Sequence, residues 1–306
     1  MSDTTLIRAV IDVGTQSTNL LVGTPDGSTL YRQNAATRLG EDLHATGRLS
    51  TVAMDRTLDV IVQHLATASE HGATDVIITG TAACRRASNT AEFQALVREK
   101  TGHTLEVLSE KDEAHYAFLG ATASLPPVDG PTLVIDIGGG STEYIIGFSS
   151  GEMSASIPFG AVTSTSSHIA TDPPKPEDLT NLIGAVADEL EEIGRDMPAL
   201  LTPARVVGVA GTIVTIAAVE IGLQEFDEQT LNGFVLAKDA AEDVFRTLAT
   251  EAASERAMNP GLGSHRVDII VAGCCILVAT MRRLHIDEIV VSTHNLMDGL
   301  MKRERI

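Results

Sequence analysis

The sequence is poor in cysteine and in aromatic residues, and it has no long hydrophobic run. Its three cysteines, Cys84, Cys274 and Cys275, provide neither a disulfide framework nor the ligand spacing of a metal site. No apolar stretch approaches the roughly 20 residues needed to cross a bilayer. The N-terminus also lacks the basic and then apolar segments of a secretory signal. These absences predict a cytoplasmic protein with reduced thiols and no membrane partner.

Positive charge is scarce as well. The chain has 22 Lys and Arg residues against 41 Asp and Glu residues, which gives a formal net charge of −19. This balance argues against nucleic-acid binding, which depends on basic surfaces. It also removes long-range attraction for any other polyanion, so a phosphorylated ligand would need local N–H groups, a few arginines or metal ions. We interpret most of the negative charge as a means of keeping the protein soluble.

The remaining composition is that of a globular protein of 306 residues, long enough for two domains. Strand-like and helix-like segments alternate, which predicts an α/β fold. Segment 124–131 contains three prolines and a glycine, so it can continue neither kind of element. We therefore predict an N-terminal domain at 1–125 and a C-terminal domain at 131–293, with a last helix at about 294–306 that packs back on the first domain.

Local patterns also predict individual elements. Ser50 is a candidate N-cap of a helix that Gly72 ends, and Ser109 with Asp112 resembles a capping box. Small residues and arginines after the strand at 75–80 predict a loop at 81–89. Further strands are expected at 105–108, 205–211 and 286–292, with helices beginning near Thr212 and near residue 294.

One short motif occurs twice, 124 residues apart. Residues 9–23 read AVIDVGTQSTNLLVG and residues 133–147 read LVIDIGGGSTEYIIG, with 7 of 15 positions identical. Each copy has a β-branched run ending in Asp, a small polar turn and a second apolar run, which is the pattern of a β-hairpin. Backbone N–H groups in such turns bind phosphate, and a neighbouring carboxylate can hold Mg²⁺. The repeat predicts a duplicated domain that clamps a phosphorylated ligand from both sides.

The second copy has the more specific phosphate-binding pattern. Its three consecutive glycines let the backbone approach a phosphate closely, and Asp136 and Glu143 bracket the turn as candidate ligands for Mg²⁺ or Mn²⁺. The first copy has one glycine and more side-chain hydroxyls. The predicted phosphate-binding residues are Asp12, Gly14, Thr15, Gln16 and Ser17 in the first copy and Gly138, Gly139, Gly140, Ser141 and Thr142 in the second.

Three further segments are candidates, each with a simpler explanation. Gly211 and Thr212 could hold phosphate at a helix N-terminus, although close packing of strand and helix also explains these small residues. Arg85 and Arg86 follow a strand, where α/β folds place ligands, although exposed arginines are common at a helix start. One acid of the cluster 110–113 could act as a general base, or the cluster could be a solvated face. Spacing alone does not select which acid.

These motifs, in this order, resemble the exopolyphosphatase/guanosine pentaphosphate phosphatase (Ppx/GppA) family of the actin/sugar-kinase/Hsp70 superfamily. The resemblance rests on the two hairpins, GT followed by CRRASN, LSEKDEAHYAFLG and VAGT, and it covers essentially the whole chain. The ending, with NPGLGSHRVDIIVAGCCIL and VVSTHNLMDGL, is similar to the short, two-domain actinobacterial-type members. The resemblance implies two duplicated actin-like (ribonuclease H-like) domains with an interdomain cleft.

For function, the resemblance implies hydrolysis of a terminal phosphoanhydride with Mg²⁺ or Mn²⁺. Polyphosphate would lose one orthophosphate per step, or pppGpp would become ppGpp. By motif position, the catalytic glutamate falls on Glu113 and the arginine on Arg85, while Asp136 and Glu143 take the metal-associated positions. Gln16 and His115 depart from the family pattern, and a homodimer is an expectation from the family only.

Three alternatives remain at the level of the sequence. The chain could prefer pppGpp or a nucleoside triphosphate, because its candidate basic residues for a polyphosphate track are few and scattered. It could instead be an ATP-dependent small-molecule kinase of the same superfamily, or a non-catalytic, filament-forming protein of the actin type. The candidate basic residues are Arg85, Arg86, Arg266, Arg282 and Arg283.

Overall fold

Strands and helices alternate along most of the chain, which the computed structural model describes from residue 6 to residue 304. Within this range there are eleven β-strands and thirteen α-helices. The strands are β1 Arg8–Val13, β2 Ser17–Gly23, β3 Thr29–Ala36, β4 Asp75–Gly80, β5 Leu105–Val107, β6 Thr132–Ile137, β7 Thr142–Gly147, β8 Met153–Ile157, β9 Arg205–Val209, β10 Val235–Ala237 and β11 Glu288–Val291.

The helices cover the segments between these strands. They are α1 Leu43–Thr46, α2 Thr51–Glu70, α3 Ala82–Arg86, α4 Thr90–Thr101, α5 Glu110–Thr122, α6 Ala161–His168, α7 Pro176–Asp196, α8 Ala210–Ile221, α9 Glu228–Leu231, α10 Lys238–Thr250, α11 Ala253–Arg256, α12 Ile270–Arg283 and α13 Leu296–Met301. No helix among residues 6–304 has both the length and the apolar character needed to cross a bilayer.

The chain divides into two units. The first consists of Met1–Gly120 and Leu296–Ile306, as far as these are described, and the second of Ala121–Asn295. One division falls inside α5 and the other directly before α13. The last helix therefore belongs to the first unit, where it contacts β1 and β2.

The first unit contains a five-stranded mixed sheet in the order β3-β2-β1-β4-β5. The strands β1, β2 and β3 are antiparallel neighbours, whereas β1, β4 and β5 run parallel. Val13 pairs with Gly80, and Gly80 pairs with Val107. The carboxyl ends of the three parallel strands therefore meet at one edge of the sheet.

The second unit contains a six-stranded mixed sheet in the order β10-β11-β9-β6-β7-β8. Here β6, β7 and β8 are antiparallel neighbours, and β6, β9 and β11 run parallel. This arrangement repeats the order of the first sheet and adds β10 at the far edge. The two sheets confirm the predicted α/β fold with a duplicated domain.

Capping interactions form where the sequence predicts them. The Ser50 hydroxyl accepts a hydrogen bond from the Ala53 N–H at 3.2 Å and begins α2, and Gly72 follows the end of that helix with a φ of +79°. Ser109 accepts from the Asp112 N–H at 3.1 Å. Its hydroxyl, not its backbone N–H, donates to the Asp112 carboxylate, so only half of a capping box is present.

Several local predictions were wrong in their bounds. The segment 81–89 was predicted as a loop, but it contains α3, whose alanines and arginines are good helix formers. The strand predicted at 205–211 ends at Val209, because Ala210 has a φ of +64° and cannot continue a strand, and helix α8 follows from Ala210, two residues before Thr212. Strand β11 and helix α13 are both shorter than predicted, since loops on either side of residue 294 separate them.

Candidate functional site

The two repeated motifs fold into the same turn. Gly14 N–H donates to the Ser17 carbonyl at 2.9 Å, and Gly138 N–H donates to the Ser141 carbonyl at 3.0 Å. A Cβ atom on either glycine would lie 3.2 Å from that same carbonyl oxygen. The first turn ends β1 and the second turn ends β6, which occupy equivalent places in the two sheets.

The carbonyl oxygens of the first turn are hydrogen-bonded by the segment that follows β3. The N–H groups of Thr37 and Arg38 donate to the Gln16 carbonyl at 3.0 and 2.9 Å, and Gly40 N–H donates to the Thr15 carbonyl at 3.1 Å. A carbonyl oxygen repels an anion. A carbonyl oxygen that already accepts hydrogen bonds from another segment repels it less, so the turn becomes a better phosphate site. His64 adds support from α2, because its Nε2 donates to the Thr18 carbonyl at 3.2 Å.

The second turn is supported in the same way, by the start of α6. Ala161 N–H donates to the Gly138 carbonyl and Val162 N–H to the Gly139 carbonyl, both at 2.9 Å. A Cβ atom on Gly160 would overlap the backbone of Gly139, just as one on Gly40 would overlap the Thr15 side chain. Sequence reasoning missed these two glycines, although each follows a large apolar residue, Leu39 or Phe159, shortly after the third strand of its unit.

The second hairpin pairs two carboxylates, and the first does not. Asp136 stands directly opposite Glu143 in the register of β6 and β7, so the two side chains share one face of the sheet. The corresponding residues of the first hairpin are Asp12 and Asn19. Only the second unit therefore presents two acidic side chains beside its turn.

The chemistry of Asp136 and Glu143 fits a magnesium ion. Mg²⁺ takes oxygen ligands and is usually bound by one or two carboxylates together with water and substrate phosphate. Among the described residues there is no cluster of three or more His, Cys, Asp or Glu side chains that could hold a metal alone. The protein would thus supply part of the coordination shell and leave the rest to phosphate and water.

Arg85 and Glu113 meet at the carboxyl edge of the first sheet. Thr81 N–H, directly before α3, donates to the Val13 carbonyl at 3.3 Å, which ties α3 to the strand that carries the first turn. Arg85 Nη1 donates to the Glu113 carboxylate and to the Leu108 carbonyl, the latter at 3.3 Å. These side chains are only 16% and 13% exposed.

The environment of Glu113 sets it apart from its acidic neighbours. Burial raises the pKa of the Glu113 carboxyl, and the positive charge and hydrogen bond of Arg85 act against that rise. Glu110 and Asp112 are exposed to solvent, with the Glu110 side chain 71% exposed. Of the acids in the cluster 110–113, Glu113 is thus the one that is buried and hydrogen-bonded to Arg85.

The glycines near the start of α8 have different surroundings. A Cβ atom on Gly208 would lie 2.7 Å from a methyl of Ile289 and 2.8 Å from one of Ile213, so close packing explains this residue. A Cβ atom on Gly211 would instead overlap the guanidinium of Arg266. Desolvation lowers the pKa of Arg266 to about 10, so the group stays charged at neutral pH. Thr212 is buried against Gly273 of α12.

The structure therefore groups the predicted residues by unit. Asp12 to Ser17, Arg85 and Glu113 lie at the carboxyl edge of the first sheet. Gly138 to Glu143 and Gly211 lie at the carboxyl edge of the second, with Arg266 beside Gly211. Two basic candidates lie elsewhere, because Arg282 pairs with Glu242 at 3.0 Å and Arg283 pairs with Glu191 at 3.5 Å near the end of α12.

Known proteins resemble the chain over nearly its full length. The model of the Ppx/GppA phosphatase family matches residues 23–304. Exopolyphosphatase 2 of Mycobacterium tuberculosis is 30% identical over 310 residues, which cover 95% of this chain and 96% of the relative. The crystal structure of an exopolyphosphatase from Cytophaga hutchinsonii superposes with a TM-score of 0.88 at 26% identity and covers 96% of both chains.

A relative of a different named activity also matches. The guanosine-5'-triphosphate,3'-diphosphate pyrophosphatase of Aeromonas salmonicida is 26% identical over 299 residues. The match covers 96% of this chain but only 58% of that protein.

Proposed function

The chain belongs to the Ppx/GppA phosphatase family, and we propose that it is an exopolyphosphatase that releases terminal orthophosphate from inorganic polyphosphate. Members of this family are hydrolases that act on phosphoanhydride bonds, and so is this chain. The choice of polyphosphate follows the name of the M. tuberculosis relative, which matches along almost its whole length.

The two turns supply the phosphate-binding groups. In each turn, N–H groups of a later segment donate hydrogen bonds to the carbonyl oxygens. These oxygens therefore repel an anion less, which favours phosphate binding by the N–H groups of the turn. Arg266 adds a fixed positive charge beside Gly211 in the second unit. Asp136 and Glu143 would hold Mg²⁺, which when bound neutralises charge on phosphate oxygens. Such local groups are needed because a net charge of −19 repels a polyanion at longer range.

Glu113 is the proposed general base, and its buried contact with Arg85 at the carboxyl edge of the first sheet is the observation that carries the mechanism. A water oxygen attacks the terminal phosphorus while its proton passes to the Glu113 carboxylate. The bond from phosphorus to the bridging oxygen breaks, and the shortened chain leaves with that oxygen. Arg85 stabilises the negative charge on the phosphoryl oxygens during transfer.

A second candidate substrate is pppGpp, which would lose its terminal 5'-phosphate. The observation that favours it is the placement of the basic side chains. Arg282 and Arg283 pair with glutamates, so they do not extend the charge of Arg266 into a track for a long polyanion.

The first experiment measures orthophosphate release with Mg²⁺ and no ATP or acceptor. Polyphosphates of defined length are compared with pppGpp, ATP and ADP at equal terminal-phosphate concentration. Release from polyphosphate, fastest of the four substrates, is the expected result, and fastest release from pppGpp would support the second candidate. A kinase would release no orthophosphate under these conditions.

The second experiment tests the base. We expect Glu113→Gln to reduce kcat by about 10²–10⁴-fold, the usual contribution of general base catalysis. Glu110→Gln is the matched control, because Glu110 lies on the same helix but is exposed. Turnover of Glu113→Gln near the wild-type rate would contradict the assignment of the base.

A further inference from the structure

Glu143 is held by two serine hydroxyls. The hydroxyl of Ser141, in the second turn, donates to Glu143 Oε1 at 2.6 Å. The hydroxyl of Ser156, on β8, donates to the same oxygen at 3.1 Å. Glu143 is only 7% exposed, so these bonds have little competition from water and limit the rotation of the carboxylate.

Ser156 completes a row of residues across three strands. Asp136 on β6 pairs with Glu143 on β7, and Glu143 pairs with Ser156 on β8. The equivalent row of the first unit consists of Asp12, Asn19 and Asn34. There the Asn34 side-chain amide donates to Asn19 Oδ1. The first unit thus keeps a hydrogen bond between the second and third strands, but it has asparagines where the second unit has Glu143 and Ser156.

Ser156 itself is exposed and lies in an edge strand of the second sheet. Packing does not require a hydroxyl at such a position, because a side chain facing solvent fills no space in the core. Within residues 6–304, the hydrogen-bond partner of the Ser156 side chain is the Glu143 carboxylate, which stands opposite it in the register of β7 and β8.

We propose that Ser156 is a positioning residue for a divalent cation: with Ser141, it holds the Glu143 carboxylate in the orientation in which this side chain ligates the ion. The inference rests on the proposed function, because it needs the ion to bind at Asp136 and Glu143. Mutation of a residue that hydrogen-bonds to a metal ligand typically lowers metal affinity by about 10–100-fold. Since Ser141 remains, loss of Ser156 should weaken binding by about 10-fold, at the lower end of that range.

The test measures Mn²⁺ binding to the full-length protein without substrate, from the electron paramagnetic resonance signal of free Mn²⁺. Ser156→Ala should bind about 10-fold more weakly, whereas Ser156→Thr keeps the hydroxyl and should bind like the wild type. Asn34→Ala is the matched control, because it removes the equivalent cross-strand bond from the first unit, and it should leave Mn²⁺ affinity unchanged. In assays, Ser156→Ala should need more Mg²⁺ for half-maximal activity and keep kcat at saturating Mg²⁺.

The outcomes separate this inference from the proposed function. Asp136→Asn should lose most Mn²⁺ binding, and wild-type affinity in that variant would overturn both the metal placement and the inference built on it. If Asp136→Asn loses binding but Ser156→Ala does not, the metal placement stands and the role of Ser156 is wrong. Equal weakening by Ser156→Ala and Asn34→Ala would also overturn that role, because the effect would then be general to the hairpins.

Discussion

Glu110 and Glu113 lie one helical turn apart on α5, yet their surroundings differ. Glu113 is buried against Arg85, whereas Glu110 faces solvent with an oxygen 4.0 Å from Arg85 Nε. The pKa of Glu113 is raised by burial and by the charge of Glu110, and it is lowered by Arg85. These neighbours allow the base to be tested through pH as well as through rate.

The acidic limb of the pH profile should move in opposite directions in two variants. A base must be ionised to act, so kcat/KM falls as the pH drops through the raised pKa of Glu113. Arg85→Ala removes a group that lowers this pKa, so the limb should shift to higher pH. Glu110→Gln removes a group that raises it, so the limb should shift to lower pH. Profiles of kcat/KM on one substrate check this, since titration of the substrate is common to all variants.

Arg266 and Gly211 provide a second test at the residue scale. In Gly211→Ala the new methyl would overlap the Arg266 guanidinium, which must then move. A hydrogen bond from a charged group contributes about 1.5–3 kcal/mol, so kcat/KM should fall by about 10–100-fold, as in Arg266→Ala. Gly208→Ala is the control. It should lower the thermal unfolding midpoint, because its Cβ meets Ile213 and Ile289 and not Arg266.

At the scale of elements, the two hairpins need the segments that follow them. Residues 37–40 and the start of α6 both donate N–H groups to the carbonyls of a turn. The repeated VID and G-x-x-S-T patterns reveal the hairpins in the sequence, because the period of a strand and the small residues of a turn are local. The supporting segments were not predicted, because their contacts join residues more than 20 positions apart.

Gly160→Ala should disrupt this support. The added methyl would overlap the backbone of Gly139, which cannot move without distorting the turn, and overpacking of this kind typically costs about 1–3 kcal/mol. We expect a lower thermal midpoint together with a loss of phosphate release. Gly184→Ala, on α7 and with no atom near the new methyl, should instead stabilise the protein by about 0.5–1 kcal/mol. A stability of Gly160→Ala equal to that of the wild type would contradict this view of the turn.

At the scale of the whole molecule, the first unit is built from both ends of the chain. Arg8, which is buried in β1, pairs with Asp75 at 2.7 Å and donates to the carbonyls of Leu300, Met301 and Arg303. Every residue of α13 is buried, and a Cβ atom on Gly299 would overlap the Tyr116 carbonyl. The last helix is therefore part of the core of this unit.

Truncation after Asn295 should unfold the first unit. It removes four buried apolar side chains, Leu296, Met297, Leu300 and Met301, each of which contributes about 1.5–3 kcal/mol. Their sum is comparable to the about 5–15 kcal/mol that stabilises a typical domain, and Arg8 would lose its carbonyl partners as well. Limited proteolysis should cleave the truncated protein within residues 8–120. A truncation after Arg303, which keeps α13, should resist cleavage like the full chain.

The sequence by itself determined the α/β class, the duplicated hairpins and the residues of their turns, because strand periodicity and turn chemistry act over a few residues. It also indicated Glu113 and Arg85 as catalytic candidates, but only through family resemblance. The sequence of a charge cluster is the same whether the cluster is solvated or buried. Only the tertiary structure decided that Glu113 is the buried acid, that Arg266 covers Gly211 and that Ser141 and Ser156 hold Glu143. These relations depend on burial and on contacts between distant segments, which no local pattern encodes.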